Sequence, residues 1–411
     1  VKIAVIGSGV SGIAAVREIG AEVPGAHVTW LSADTEAGGL WNASSTCARV
    51  YDSLFLNTSR RQSTFHGTRI PVDPWIEFVH HSIYATYLAE VAADCRGVDR
   101  RWGHRVTSVS RHADGGWRVA WRDADGHADA ACFAAVIDAT GRNAEPRWPG
   151  VAVDPEPSYE YRHSAAYRNA APYRGRNVLV VGNGASAVDI ACELVGVASG
   201  VTVSVRTPKW HLPKMMFGRP VDRSAEGLLG RFPGARRLTA AVAEFVVRKV
   251  LGPYPTYGLG VPPSPLAAST PVLNDHFLGD LSHGRIAVRG PVVELGRTAV
   301  RFADGEAAFD AVIAATGFRE RAVHLPGDVQ ELLGTGGLGL ALEAPGRPAL
   351  FLMNRFRCGD AAVRCAEVQA AAIGRALRRG QALRPGPLPR PVAPGARITA
   401  GVLRGAYAAY Q

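Results

Sequence analysis

The sequence predicts an α/β protein built from two nested dinucleotide-binding units. Two observations predict it: a strand, a glycine-rich turn and a helix follow one another twice, and each set is answered far downstream by an Ala-Thr-Gly segment.

The first set opens the chain. Residues 2–6 form a short β-branched run, Gly7-Ser8-Gly9-Val10-Ser11-Gly12 the turn, and residues 13–19 carry helical spacing. The second set repeats the order, with a strand at 177–181, the turn Gly182-Asn183-Gly184-Ala185-Ser186-Ala187, and a helix at 188–194. The chemistry asks for these residue types in this order. The first glycine makes the tight turn, the second lets backbone approach a pyrophosphate, and the third small residue lets helix pack on strand. The helix N-terminus then presents free N–H groups and a positive dipole end to the anion.

Ala139-Thr140-Gly141 is matched by Ala315-Thr316-Gly317, and 133 positions separate Gly7 from Thr140 while 134 separate Gly182 from Thr316. Two Rossmann-like units of similar size follow, the second inserted in the first. We expect the first over 1–165 and 308–411, closed by a helix at 361–378, and the second over 166–307. Asp114-Gly115-Gly116 and Asp304-Gly305 read as hairpin turns in strands that cover each unit. Residues 213–280 interrupt the repeat with an amphipathic helix at 231–250 and a proline-rich run, and a loop of that length reads as a substrate lid.

Composition excludes several classes. The 411 residues carry a formal charge of +10, but the arginines are spread along the chain without a basic, aromatic-interleaved block, so nucleic acid is not the expected partner. No apolar run is long enough for a membrane helix. Cys47, Cys95, Cys132, Cys192, Cys358 and Cys365 show no CxxC and no paired metal spacing, and read as free thiols in a reducing cytoplasm, with no metal site. Alanine-rich helices offer a homodimer seam.

The strand end that meets the ribose distinguishes the two cofactors. In the second unit the strand at 201–205 ends in Arg206, with Lys209 close behind, which suits the 2′-phosphate of NADPH. In the first unit the strand at 28–31 ends in Ser32 where a carboxylate is expected, with Asp34 and Glu36 as substitutes. Gly38-Gly39-Leu40-Trp41 follows, a glycine pair beside an aromatic that favours a flavin over a second nicotinamide.

Both glycine turns, Gly38 to Trp41, Tyr51-Asp52-Ser53-Leu54 leading to Asn57-Thr58, the two Ala-Thr-Gly segments, Arg206 with Trp210, and the stretch 367–370 together resemble the class B flavin-dependent monooxygenases, the group of flavin-containing monooxygenases, N-hydroxylases and Baeyer–Villiger enzymes. The resemblance covers nearly the whole chain. It implies an FAD site made by Gly7, Gly9, Ser11, Gly12, Ser32, Gly39, Leu40, Trp41, Asn57, Thr58, Val106, Thr140 and Gly141. It implies an NADPH site made by Gly182, Gly184, Ala185, Ser186, Ala187, Arg206 and Lys209, with Thr316 and Gly317 beside it. Asn57 is similar to the family asparagine beside flavin and nicotinamide, the one catalytic side chain the resemblance implies. Its amide is suited to donate to a peroxide oxygen and to accept from the cofactor.

The chemistry so implied uses NADPH, molecular oxygen and a C4a-hydroperoxyflavin to oxygenate a soft nucleophile of a small molecule, nitrogen ahead of sulfur. The alternatives are an NADPH-dependent flavoprotein reductase and a Baeyer–Villiger monooxygenase. In the subfamily fingerprint Pro157 and Tyr159 depart from the Phe and Gly places, while His163 and Tyr167 fit, and Tyr167 points away from Baeyer–Villiger chemistry. Two further departures, a missing acidic residue in 65–71 and a missing glycine in Phe351-Leu352-Met353-Asn354, leave His66 and Asn354 to line an altered pocket.

Overall fold

The computed structural model describes residues 1–143, 145–222, 236–335, 341–355, 361–383, 404, 407 and 408. The chain begins with β1 (Lys2–Ile6), α1 (Val10–Glu22) and β2 (His27–Leu31), and continues through α2 (His81–Ala93) to β3 (Val98–Arg101). A three-stranded antiparallel sheet of β4 (Arg105–Arg111), β5 (Trp117–Arg122) and β6 (Ala128–Phe133) precedes β7 (Ala135–Asp138). The 114–116 turn does join two antiparallel strands, since Arg111 pairs with Trp117.

The chain next builds its second parallel sheet from β8 (Glu160–His163), β9 (Asn177–Val181) and, after α3 (Ala185–Leu194), β10 (Gly200–Ser204). Helix α4 (Arg236–Leu251) lies in the stretch before β11 (Ala287–Arg289). The antiparallel run β12 (Val292–Leu295), β13 (Val300–Phe302) and β14 (Gly305–Ala307) turns at Asp304-Gly305 and leads to β15 (Ala311–Ala314). The last elements are β16 (Leu350–Leu352) and α5 (Ala362–Arg379).

The two sheets share one design. The first has the order β16-β7-β1-β2-β3 and the second β8-β15-β9-β10-β11, every pairing parallel. After their first residues, Lys2 and Asn177, the central strands β1 and β9 are apolar because helices or covering strands close both faces: Ile3, Ala4, Val5, Val178, Leu179 and Val180 are fully buried. The copies differ in their fifth strand. In the first unit it comes last in the chain, as β16; in the second it comes first, as β8.

The chain separates into two compact units, 1–50 with 60–145 and 318–411, and 51–59 with 146–317. The boundary expected at 165/166 falls at 145/146 because β8 pairs with β15, which places the 150s and 160s in the second unit. The one expected at 307/308 falls at 317/318 because β15 completes the second sheet. The segment Tyr51–Ser59, expected with the first unit, belongs to the second for reasons given below.

Within the first unit α5 lies on α1. Gly374 makes the approach possible, since a Cβ there would sit 2.9 Å from Glu22 Cβ. Glu22 also binds Arg375 at 2.9 Å and Arg378 at 3.2 Å. In the second unit Val247, Tyr254, Leu259 and Val272 of the 213–280 stretch share a buried cluster with Trp210, Leu212 and Phe277, so this stretch is part of that unit's core. Residues 223–235 of the expected lid lie outside the described residues. Cys47, Cys95, Cys132 and Cys192 are free thiols, whereas Cys365 is disulfide-bonded, which corrects the expectation of free thiols throughout. Cys358 lies outside the described residues. No helix among the described residues is long and apolar enough to cross a membrane.

Candidate functional site

In the first unit, Gly7 ends β1 at a φ of 106°, and a Cβ there would lie 2.5 Å from the carbonyl oxygen of Ala139. The glycine turn is therefore seated on the backbone of the Ala-Thr-Gly segment, a physical reason for the two motifs to recur together. Gly12 fits against the Gly7 carbonyl, which also accepts the Trp30 indole N–H at 2.8 Å. Gly9 and Gly39 face each other: a Cβ on Gly39 would come within 2.9 Å of Gly9 Cα, and Gly38 N–H donates to Ser8 O at 2.9 Å. The N-cap of α1 is Gly9, without a side-chain cap, so the first-turn N–H groups receive no capping side chain and remain suited to an anion.

Ser32 is buried at the end of β2, hydrogen-bonded to Ser8 Oγ at 2.7 Å and accepting the Asp34 N–H at 3.2 Å. Asp34 accepts from Ser45 Oγ at 2.7 Å and from Thr46 N–H at 3.2 Å. Leu40 and Trp41 lie in the short 3-10 turn Gly39–Trp41, and Trp41 meets Tyr84 edge-on at 5.2 Å. Val106 packs on the first unit's core.

The second unit reproduces the seat. Gly182 has a φ of 137°, and its Cβ would lie 2.4 Å from Ala315 O and 3.6 Å from Ala187 Cβ. Gly184 caps α3 without a side-chain hydrogen bond, Ala185 and Ser186 are exposed in the first turn, and Ala187 is buried against the sheet. Arg206 is exposed just past β10, and Lys209 Nζ lies 3.7 Å from where a Cβ on Gly184 would stand. The geometry thus brings a cation to the second glycine turn. Thr316 binds Arg147 through its hydroxyl and its carbonyl.

Asn57 sits in this unit as well. Its segment is tied down along its length: Asp52 N–H donates to Arg168 O at 2.8 Å, Ser53 Oγ to Glu193 at 2.6 Å, Lys214 Nζ to Leu56 O at 3.3 Å and Ser59 N–H to Asp222 at 2.6 Å. These bonds are why 51–59 joins the second unit. At their centre is Asp189 of α3, which accepts from Tyr51 OH at 3.0 Å, from Asn274 Nδ2 at 2.8 Å and from the Asn57 side chain. Burial raises its carboxyl above the usual range against the pull of these donors and of Lys214, whose own pKa burial lowers. Asn57 Oδ1 is buried with no hydrogen-bond partner among the described residues. Thr58 neighbours it in the same segment.

His163 has a structural task. Its Nδ1 accepts the Ala165 N–H at 3.1 Å, which leaves the ring proton on Nε2 to donate to Gly317 O at 3.1 Å. Tyr167 is a core residue, stacked on Tyr173 at 5.9 Å. Asn354 explains its departure from the expected glycine: its φ is 53°, a left-handed conformation that asparagine tolerates. Its side chain donates to Ser11 Oγ at 2.6 Å and accepts from Gln369 at 2.9 Å, so it braces the first helix N-terminus. His66 is exposed; its N–H donates to Glu367 at 2.5 Å and its carbonyl accepts from Arg17 at 2.8 Å.

Sequence reading missed a buried ionic network. Asp138, at the end of β7, is fully buried and bonded to Arg355, to His324 at 3.2 Å and to Thr140 Oγ1 at 2.8 Å. Burial pushes its carboxyl up, but Arg355 and His324 together hold it well below the usual carboxylate range. Arg355 also donates to Gly141 O at 2.5 Å and Thr140 Oγ1 at 2.9 Å, fixing the segment on which Gly7 rests. The second unit has Ala314 where the first has Asp138, and this one charged residue in an otherwise matching strand was the available signal. Asp189, a half-buried carboxylate between the buried Val188 and Ile190 of α3, was another.

A family model described as flavin-binding monooxygenase-like matches residues 1–329. Dimethylaniline monooxygenase [N-oxide-forming] 2 of Rattus norvegicus is 32% identical over 336 residues, covering 77% of this chain and 61% of the relative. The chain thus spans about three fifths of the length of the curated relatives it matches. The solved flavin-containing monooxygenase from Stenotrophomonas maltophilia aligns with a TM-score of 0.66 and 23% identity over 90% of this chain and 97% of that one. Cyclohexanone monooxygenase from Rhodococcus sp. Phi1 bound to NADP+ aligns with a TM-score of 0.67 and 18% identity over 92% and 84%. These two alignments establish the shared fold.

Proposed function

This chain belongs to the flavin-binding monooxygenase-like family, whose cofactors are FAD and NADPH, and on that premise we propose that it is an FAD- and NADPH-dependent monooxygenase. It transfers one oxygen atom of O2 to a soft nucleophilic atom of a small molecule, nitrogen ahead of sulfur, and the other leaves as water. The N-oxide-forming relative supports the preference for nitrogen.

The observation that carries the reading is Asn57 Oδ1, a buried acceptor without a donor among the described residues. Such an atom is costly unless something supplies a hydrogen bond, and the N–H of a nicotinamide carboxamide is a donor of the right kind. The cradles fit the rest. The uncapped start of α1 with Gly7, Gly9, Ser11, Gly12 and Gly39 would hold the FAD pyrophosphate, with Leu40, Trp41, Ser32, Val106, Thr140 and Gly141 around it. The uncapped start of α3 with Gly182, Gly184 and Ser186 would hold that of NADPH, and Arg206 and Lys209 its 2′-phosphate.

Bound FAD, reduced by NADPH, supplies the oxygen chemistry. The protein's own residues bind, orient and exclude water; no side chain is needed as an acid–base pair. Asn57 accepts a proton-bearing group at the site and keeps it in register. Replacing Asn57 by Ala is expected to lower the product formed per NADPH consumed by about tenfold, hydrogen peroxide making up the balance. A variant that kept wild-type coupling would remove Asn57 from the reaction.

A further inference from the structure

Asp189 stands one layer behind Asn57 and has no place in the reaction just proposed. We infer that it is a positioning residue that fixes the rotation of the Asn57 amide, so that the carboxamide oxygen, and not the nitrogen, faces the nicotinamide. The inference rests on the reading of Asn57 given above.

A carboxylate has only acceptor atoms, so the group Asn57 turns toward Asp189 must be its NH2. The amide is planar, and its oxygen therefore points the other way, where it is buried and lacks a donor among the described residues. Rotation by half a turn would set a carbonyl oxygen against a carboxylate in a desolvated site, a repulsive contact between two acceptors with no proton to share. Asp189 is itself unable to swing aside. Tyr51 OH and Asn274 Nδ2 donate to its two oxygens at 3.0 and 2.8 Å, and α3 carries its backbone. Lys214 completes the arrangement by donating to the carbonyl of Leu56, the residue before Asn57, at 3.3 Å. An asparagine at position 189 would offer a donor as well as an acceptor, and either rotation of Asn57 would then be permitted.

The test is a double-mutant cycle on the FAD-loaded protein, read by NADP+ titration of the flavin absorbance and by hydrogen peroxide released per NADPH. Asn57→Ala and Asp189→Asn are each expected to weaken NADP+ about tenfold and to raise peroxide release, with FAD content unchanged. The double variant is expected to bind no more weakly than Asn57→Ala alone, because Asp189 acts only through the amide. Wild-type NADP+ binding by Asn57→Ala would overturn the underlying reading of Asn57. Weakened binding by Asn57→Ala beside wild-type binding by Asp189→Asn, or losses that multiply in the double variant, would overturn the positioning role alone. Should Asp189→Asn not fold, Tyr51→Phe serves: it removes one donor from Asp189 and is expected to weaken NADP+ about threefold, an effect that disappears in the Asn57→Ala background. Persistence of that effect would count against the inference.

Discussion

Arg206 presents an exposed guanidinium just beyond β10, and Lys209 reaches the adjacent glycine turn. A serine at position 206 removes a planar, charge-assisted contact to the 2′-phosphate, and charged hydrogen bonds of that kind contribute about 1.5–3 kcal/mol. The KM for NADPH should therefore rise by roughly ten- to a hundredfold with little change for NADH, which steady-state kinetics with the two nucleotides would show. Equal losses with both would assign Arg206 to the fold. At this scale the sequence was most informative where a residue type has one use. The turn glycines were legible, since a φ of 106° at Gly7 and of 137° at Gly182 suits glycine, whereas Asp189 and Arg355 act through partners that lie far away along the chain.

The seats of the two glycine turns make a prediction about elements. Gly7→Ala combines a φ of 106° with a contact of 2.5 Å to Ala139 O and should destabilise the first unit by about 1–3 kcal/mol and empty it of FAD. Gly20, inside α1, has nothing within 4 Å of its missing Cβ, so Gly20→Ala should instead raise stability by up to about 1 kcal/mol. Thermal melts and flavin content of the two variants check both signs.

His211 precedes Leu212 in the core of the second unit. It is buried with neither ring nitrogen paired among the described residues, 4.8 Å from the Phe277 ring, and burial, helped by Lys209, pushes its pKa down to about 3. Its folded pKa lies below the unfolded value near 6.5, so the unfolded chain binds the proton first and stability falls as pH drops from about 6.5 toward 3. At pH 5 the loss is about 2 kcal/mol, and His211→Phe should narrow the gap between Tm at pH 7 and at pH 5 by several degrees. An unchanged gap would mean the acid sensitivity lies elsewhere, in carboxylates such as Asp138. The parallel strands and both helices behind the turns were readable because hydrophobic period and turn chemistry agree there. The order of the fifth strand was not, since β8 and β16 are short runs whose pairing is decided by partners about 150 and about 210 residues away respectively.

For the whole molecule, the nested arrangement followed from the echo of Ala139-Thr140-Gly141 in Ala315-Thr316-Gly317. The reassignment of 51–59 did not, because it depends on bonds such as Tyr51 to Asp189, 138 positions apart, which no local pattern announces. It places Asn57 with the proposed NADPH unit even though the flanking sequence belongs to the other. Limited proteolysis with and without NADP+ should protect the second unit together with the 51–59 segment, and FAD the first; cleavage within 51–59 that ignores NADP+ would contradict that grouping.

The central claim is that one atom of molecular oxygen ends in a small-molecule product. The most direct measurement is turnover of the FAD-loaded protein with NADPH and 18O2 over a panel of tertiary amines and thioethers, with product mass and hydrogen peroxide both counted. One labelled oxygen in an N-oxide or S-oxide per NADPH consumed, with little peroxide, is the predicted result. NADPH oxidation that yields only peroxide with every member of the panel, while an added electron acceptor is reduced rapidly, would contradict the claim and make the protein a reductase.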